Sequence, residues 1–250
     1  MRRLAPAALA LGLAATPAAA FDIGAMSEDE RSMFRDEIRA YLLENPEVLM
    51  EAIDVLERRQ AAEAVANDKA LVSTNMESLV DDGYSHVGGN PDGDVTLIEF
   101  VDYRCGYCRK AFPELKQLIE ADGDIRVIYK EFPILGEDSI TSSRFAIATQ
   151  LAAGEDAYAE VHDALMTLRA NPTEEVLARM ADDLGLDGAE IVAKMDDPEV
   201  ERRIQENHAL ANRLQISGTP TFVLGDQMLR GYVPLASMQE IVAEVRASEG

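Results

Sequence analysis

The chain has 250 residues and a formal net charge of −23. A surface that acidic repels phosphate backbones and argues against a nucleic-acid partner. Composition is that of a soluble globular protein, and no segment is apolar for long enough to span a bilayer.

Arg2 and Arg3 form a positive start, Leu4 to Ala15 is apolar, and Ala18-Ala19-Ala20 follows Pro17. This is the pattern of a secretory signal peptide over residues 1–20, with cleavage expected before Phe21. Removing it takes away two arginines and no acid, which leaves a charge near −25 (−23 minus 2).

Residues 21–84 read as a helical extension. Ser27 and Glu30 have capping-box spacing, and Phe34, Ile38, Tyr41 and Leu42 recur at helical intervals. Asn45-Pro46 restarts the pattern, with Asn45 expected as N-cap, and Leu49, Ile53 and Leu56 fall on one side. This helix has a narrow apolar stripe and no core of its own, so it needs a partner surface. Another copy of the chain, held through residues 27–80, and the body of the protein both satisfy that need.

Asp81-Asp82-Gly83 and the run from Gly88 to Gly93 mark turns and a boundary. Val95 to Tyr103 reads as a buried strand, Phe112, Leu115 and Leu118 as a helix, and Ile125 to Phe132 as a second strand. Together they make a βαβ unit with parallel strands. From Gly136 to Ile216 the chain is almost all helix, with Thr173, Asp187 and Asp197 as N-caps. Thr221 to Leu224 and Met228 to Tyr232 read as two strands joined by a turn, followed by a closing helix to about Val245.

There are two cysteines, Cys105 and Cys108, placed where a strand ends and a helix begins. A bridge between them closes four residues and constrains little of the unfolded chain, so a chemical purpose is favoured over a structural one. Amide groups at a helix start favour negative charge and acidify a thiol there. Cys105 is therefore the expected exposed nucleophile, and Cys108, one turn in, its resolving partner. Zinc needs about four ligands. With His86, His162 and His208 scattered singly, no metal is expected. The two later histidines read as solvent-facing residues on helices.

Glu99 to Cys108, which contains the dipeptide Gly106-Tyr107, resembles the active-site strand and helix start of the bacterial periplasmic Dsb-type oxidoreductases. Gly218-Thr219-Pro220-Thr221-Phe222-Val223 resembles their cis-proline loop, and Gly88 to Asp94 their lead-in. The helical block over about 136–216 is similar to the insertion that splits the thioredoxin fold in the DsbA branch. Ala40 to Leu49 resembles the N-terminal extension of the Com1-like and suppressor-of-copper-sensitivity groups, which forms an oligomerisation stalk in some relatives.

The resemblance implies an α/β thioredoxin fold over residues 85–250, with an inserted helical domain and the N-terminal extension. It implies a periplasmic protein that exchanges disulfides with exported proteins, needs no cofactor, and is reset by a membrane redox partner. It gives Pro220 a cis peptide bond and makes Thr219 and Pro220 substrate-binding. It makes Glu99 a buried acid that moves the proton of Cys108, where a glutamate facing solvent is the plainer alternative. Lys130 is either a partner of Glu99 across the sheet or a surface lysine. Gly106-Tyr107 and Thr219 depart from the oxidase pattern and lie closer to the disulfide isomerases of the same compartment. Two other activity classes stay open: a binding or chaperone module that keeps the fold without catalysis, and a glutathione-linked enzyme on a related fold.

Overall fold

The computed structural model describes residues 23–249, so the expected signal peptide lies outside the described residues. Contacts divide the chain into two compact units, with the division between Arg59 and Gln60.

The first unit holds a short 3-10 turn, Ile23–Ala25, helix α1, Glu28–Glu44, and the opening turns of α2, Glu47–Val80. Ser27 and Glu30 close the capping box: Ser27 N–H donates to the Glu30 carboxylate at 2.8 Å, and Glu30 N–H donates to Ser27 Oγ at 3.3 Å. Asn45 does not act as the N-cap of the second helix. Its backbone and side-chain N–H groups both donate to Tyr41 O, at 2.8 and 2.9 Å, and so terminate α1. Pro46 disfavours helical geometry at the residue before it, and the last carbonyls of α1 need donors. Neither α1 nor this part of α2 buries a side chain, and Phe34, Ile38, Tyr41, Leu49, Ile53 and Leu56 are exposed.

The second unit is built on one five-stranded sheet in the order β1-β3-β2-β4-β5. These strands are β1 His86–Gly89, β2 Val95–Val101, β3 Ile125–Glu131, β4 Thr221–Leu224 and β5 Gln227–Arg230. β2 and β3 are parallel, and the other neighbours are antiparallel. β1 falls where a turn-rich boundary is expected. Gly88 and Gly89 pair with Val127 and Arg126, and a Cβ at Gly89 would run into Ile125 O. Glycine therefore permits the edge pairing here, although the same residues read as breakers in sequence.

Three apolar clusters organise the unit. Helix α3, Gly106–Asp122, and α9, Leu235–Glu249, cover one face of the sheet through Leu115, Leu118, Met238 and Val242 against Leu97, Val127 and Phe222. The later turns of α2, through Val72 and Leu79, and α8, Pro198–Arg213, through Leu210, cover the other face at Ile98, Phe100 and Ile128. The third cluster joins the end of β2 to the inserted helices α4 Glu137–Ala153, α5 Glu155–Thr167, α6 Glu174–Asp183 and α7 Gly188–Lys194. It contains Val101, Tyr103, Cys105 and Cys108, so the insertion packs directly on the cysteine pair. Thr173, Asp187 and Asp197 cap α6, α7 and α8 as their sequence positions predict.

Strand alternation corrects the expectation for Lys130. Glu99 and Tyr129 are register partners on one face, and Lys130 pairs in register with Phe100 and points to the other. Lys130 is fully buried there, and its Nζ donates to Ser78 O at 3.0 Å and to the Asp82 carboxylate at 2.5 Å. It is neither a partner of Glu99 nor a surface lysine. Burial holds its pKa below the usual range despite the carboxylate beside it.

Candidate active site at the end of β2

The chain leaves β2 at Asp102, whose fully buried carboxylate organises the turn that follows. Oδ1 accepts from Arg104 N at 2.8 Å and from Ser139 Oγ at 2.8 Å. Oδ2 accepts from Ile134 N at 2.8 Å and Leu135 N at 3.2 Å. One side chain thus ties the approach to the cysteines to the loop after β3. Cys105 N–H donates to Asp102 O at 3.1 Å, and Cys105 takes the N-cap position of α3 with extended dihedrals.

Cys105 is 6% exposed and Cys108 is fully buried. The expected order of access holds, but the outer thiol is more enclosed than an exposed nucleophile would be. The loop before β4 covers it. As a thiol, Cys105 Sγ donates to Thr219 O at 3.1 Å, and the Thr219–Pro220 peptide bond is cis. Pro220 O in turn accepts from Gly231 N at 2.8 Å, which fixes the loop to the end of β5. Between the cysteines, Tyr107 projects its ring outward and is 63% exposed.

The electrostatics separate the two thiols. A hydrogen bond from Cys108 is the largest influence on Cys105, and with the Thr219 side chain and the amides of Cys108 and Tyr107 it outweighs burial, bringing Cys105 down to about 5. The same Cys105–Cys108 hydrogen bond, then burial and the nearby Glu99, push the Cys108 thiol far above its ordinary value. Glu99 is 1% exposed, which removes the solvent-facing alternative. Burial, then Glu131 and Cys105, push it up to about 8.

Several groups near the site carry little sequence signal. Tyr103 and Tyr158 both donate to Glu131 Oε1 at 2.6 Å, and Tyr103 Oη also meets His162 Nδ1 at 2.9 Å. His162 is 2% exposed, not solvent-facing, because its side of α5 packs on Tyr103, Phe112 and Tyr129. Burial pushes it down to about 3, so it stays neutral. Burial likewise raises Glu131 to about 7. An aspartate just past an apolar strand is the one hint the sequence offers of Asp102. Nothing in residue spacing links Glu131 to His162. His208 is half-buried against the Phe132 ring, with centroids 4.8 Å apart. Among the described residues no cluster of three or more His, Cys, Asp or Glu side chains could hold a metal ion.

This combination of sheet order, inserted helices, cysteines at a helix start and facing cis-proline loop has close counterparts among known proteins. The family described as "DSBA-like thioredoxin domain" matches residues 96–243. The chain belongs to that family. A second family, "Copper resistance protein ScsC N-terminal domain", matches residues 30–63 of this DSBA-like protein. A thioredoxin-like oxidoreductase from Silicibacter pomeroyi is 39% identical, covers 68% of this chain and 97% of its own, and superposes with a TM-score of 0.63. A linker-deletion mutant of Proteus mirabilis ScsC is 27% identical, covers 91% of this chain and 100% of its own, with a TM-score of 0.64. The thiol-disulfide exchange protein alpha-DsbA2 from Wolbachia pipientis is 26% identical, covers 73% and 98%, and has a TM-score of 0.68. Curated relatives include Na(+)/H(+) antiporters, such as one from Salinispora tropica that is 27% identical over 169 residues. The chain spans about a quarter of their length. The DSBA-like family and these neighbours give the chain a thioredoxin fold with an inserted helical domain and an N-terminal helical extension.

Proposed function

We propose that the protein is exported to the periplasm, loses residues 1–20, and exchanges disulfides with other exported proteins through Cys105 and Cys108. The observation that carries this reading is the placement of the two thiols: Cys105 at the N-cap of α3 against the cis Thr219–Pro220 step, and Cys108 fully buried in the first turn behind it. Cys105 thiolate attacks a substrate disulfide, one substrate sulfur leaves as a thiolate, and a mixed disulfide forms at Cys105. Cys108 passes its proton to Glu99 and attacks Cys105 Sγ. The internal disulfide closes, and the second substrate sulfur leaves with the electron pair. In the reverse direction a substrate thiolate opens the Cys105–Cys108 bond. Thr219 and Pro220 bind the substrate's extended backbone beside Cys105.

The direction we favour is isomerase or general oxidoreductase. Gly106-Tyr107 and Thr219 support it, as does an extension whose exposed apolar side chains would give a second copy of the chain a surface to pack on. A membrane redox partner resets the pair. Ion antiport, named for relatives about four times the matched length, is not proposed for this chain. Cys105→Ala should abolish both insulin reduction and refolding of scrambled ribonuclease, and Cys108→Ala should accumulate mixed disulfides with substrate. Wild-type turnover by Cys105→Ala would overturn the reading.

A further inference from the structure

Glu99 can take the proton of Cys108 but, at 1% exposure, cannot itself return it to water. A cavity of about 270 Å³ lies nearby, lined from β1 by His86 and Gly88, from β3 by Tyr129, and from α5 by Ala159 and His162. It contains neither cysteine. Tyr129 stands between this cavity and Glu99: it lines the first and is the register partner of the second on β2, on the same face of the sheet.

Two buried polar atoms on neighbours of Tyr129 lack a protein partner: Oε1 of Glu99, its register partner, and Nε2 of His162, whose ring packs on its own. The His162 tautomer follows from its neighbours. Tyr103 commits its one O–H to Glu131 at 2.6 Å, so His162 Nδ1–H donates to Tyr103 and Nε2 keeps a bare lone pair. The rings of His162 and Tyr129 are 4.4 Å apart between centroids. Buried polar atoms of this kind are commonly satisfied by water, and the adjoining cavity is large enough to hold it.

We propose that Tyr129 is a positioning residue for the exchange reaction and that the cavity behind it is the route by which the Cys108 proton, once on Glu99, passes to solvent. The proposal rests on the thiol chemistry above. Each resolving step releases one proton: Cys108 S–H becomes part of the Cys105–Cys108 bond, the electron pair leaves with the substrate thiolate, and the proton travels from Glu99 past Tyr129 into cavity water. The charged and titratable groups at the cavity are His86 from β1, Lys116 and Glu120 from α3, and Glu160 and Asp163 from α5. Lys116 and Asp163 pair with each other, and His86 Nδ1 meets Glu155 at 2.6 Å.

Mixing reduced protein with the aromatic disulfide 5,5′-dithiobis(2-nitrobenzoate) tests this in one trace. The first thionitrobenzoate released reports attack by Cys105, and the second reports attack by Cys108. Tyr129→Phe keeps the ring and removes the hydroxyl, and Ala159→Leu fills the cavity from α5. Each should slow the second release relative to the first by about tenfold, with a larger solvent isotope effect. Added imidazole should restore the second release in Tyr129→Ala. An unchanged ratio of the two phases in Tyr129→Phe, with no rescue by imidazole, would overturn the route and leave the thiol chemistry standing. Loss of the first phase in the wild type would instead refute the thiol chemistry.

Discussion

Cys105 Sγ lies 3.1 Å from the carbonyl oxygen of Thr219, across 114 residues of sequence. That contact brings the two motifs of the chain into one site. It also depends on charge. A thiol at Cys105 donates to the Thr219 carbonyl, and a thiolate instead accepts from Cys108 and the first amides of α3. Ionisation therefore releases the Thr219 carbonyl, which a substrate N–H can then take. Thr219→Pro alters the backbone before Pro220 and should raise KM for a peptide disulfide several-fold with a smaller change in kcat, read from steady-state insulin reduction. Equal effects on both would place Thr219 outside substrate binding.

If Glu99 takes the Cys108 proton as proposed, it sets the pH dependence of resolution. With its carboxyl at about 8 it is mostly protonated at pH 7 and becomes a base as pH rises. The rate of Cys108 attack should therefore climb through a midpoint near 8, and Glu99→Gln should flatten that profile and slow the step by about 10²-fold. Because Glu131 lies close by and sits at about 7, the measured midpoint belongs to the pair. Stopped-flow resolution rates between pH 6 and 10 decide this. A flat wild-type profile would exclude Glu99.

The Cys105 thiolate also makes the reduced protein's stability depend on pH. Its folded pKa is depressed, from 9.0 to about 5. The stabilisation is complete above pH 9 and is lost as pH falls through 5. At pH 7 it amounts to ~2–3 kcal/mol, taking 1.36 kcal/mol for each unit. Urea unfolding of the reduced and oxidised forms from pH 8 to pH 4 should show the reduced form losing that advantage.

Asp102 serves the site through the backbone. Replacing it by Ala leaves the amides of Arg104, Ile134 and Leu135 and the Ser139 hydroxyl without their acceptor. At ~1–3 kcal/mol for each buried group left unsatisfied, a loss of about 3 kcal/mol or more is expected, measured by chemical denaturation. Lys130→Ala should cost about as much, because it strands the buried Asp82 carboxylate. A change under 1 kcal/mol in either variant would mean that water replaces the lost partner.

Local patterns made much of this legible in sequence. The cysteine spacing, the Thr219-Pro220 step, the strands β2 and β3 and the caps Thr173, Asp187 and Asp197 each involve residues close together in the chain. What was not legible depends on which face a residue takes and on what distant elements bring to it. Lys130 and Glu99 look like a charge pair until the register places them on opposite faces. His162 looks like a surface residue until α5 turns it onto Tyr103. Asn45 has the composition of an N-cap and uses it backwards, on Tyr41. β1 hides in glycines because its pairing tolerates no side chain at Gly89.

The extension gives a prediction of its own. Helix α1 and the start of α2 leave large apolar side chains in water. The mature protein should sediment as a multimer, and a chain starting at Gln60 should sediment as a monomer that keeps insulin reduction. A full-length monomer at micromolar concentration would remove self-association from the account.

The most direct test of the central claim is the titration of the outer thiol. Absorbance of the reduced protein at 240 nm, with Cys105→Ser as the blank, follows thiolate formation as pH rises. The account expects one thiolate appearing with a midpoint near 5, absent in the blank. A midpoint above 8 would contradict it.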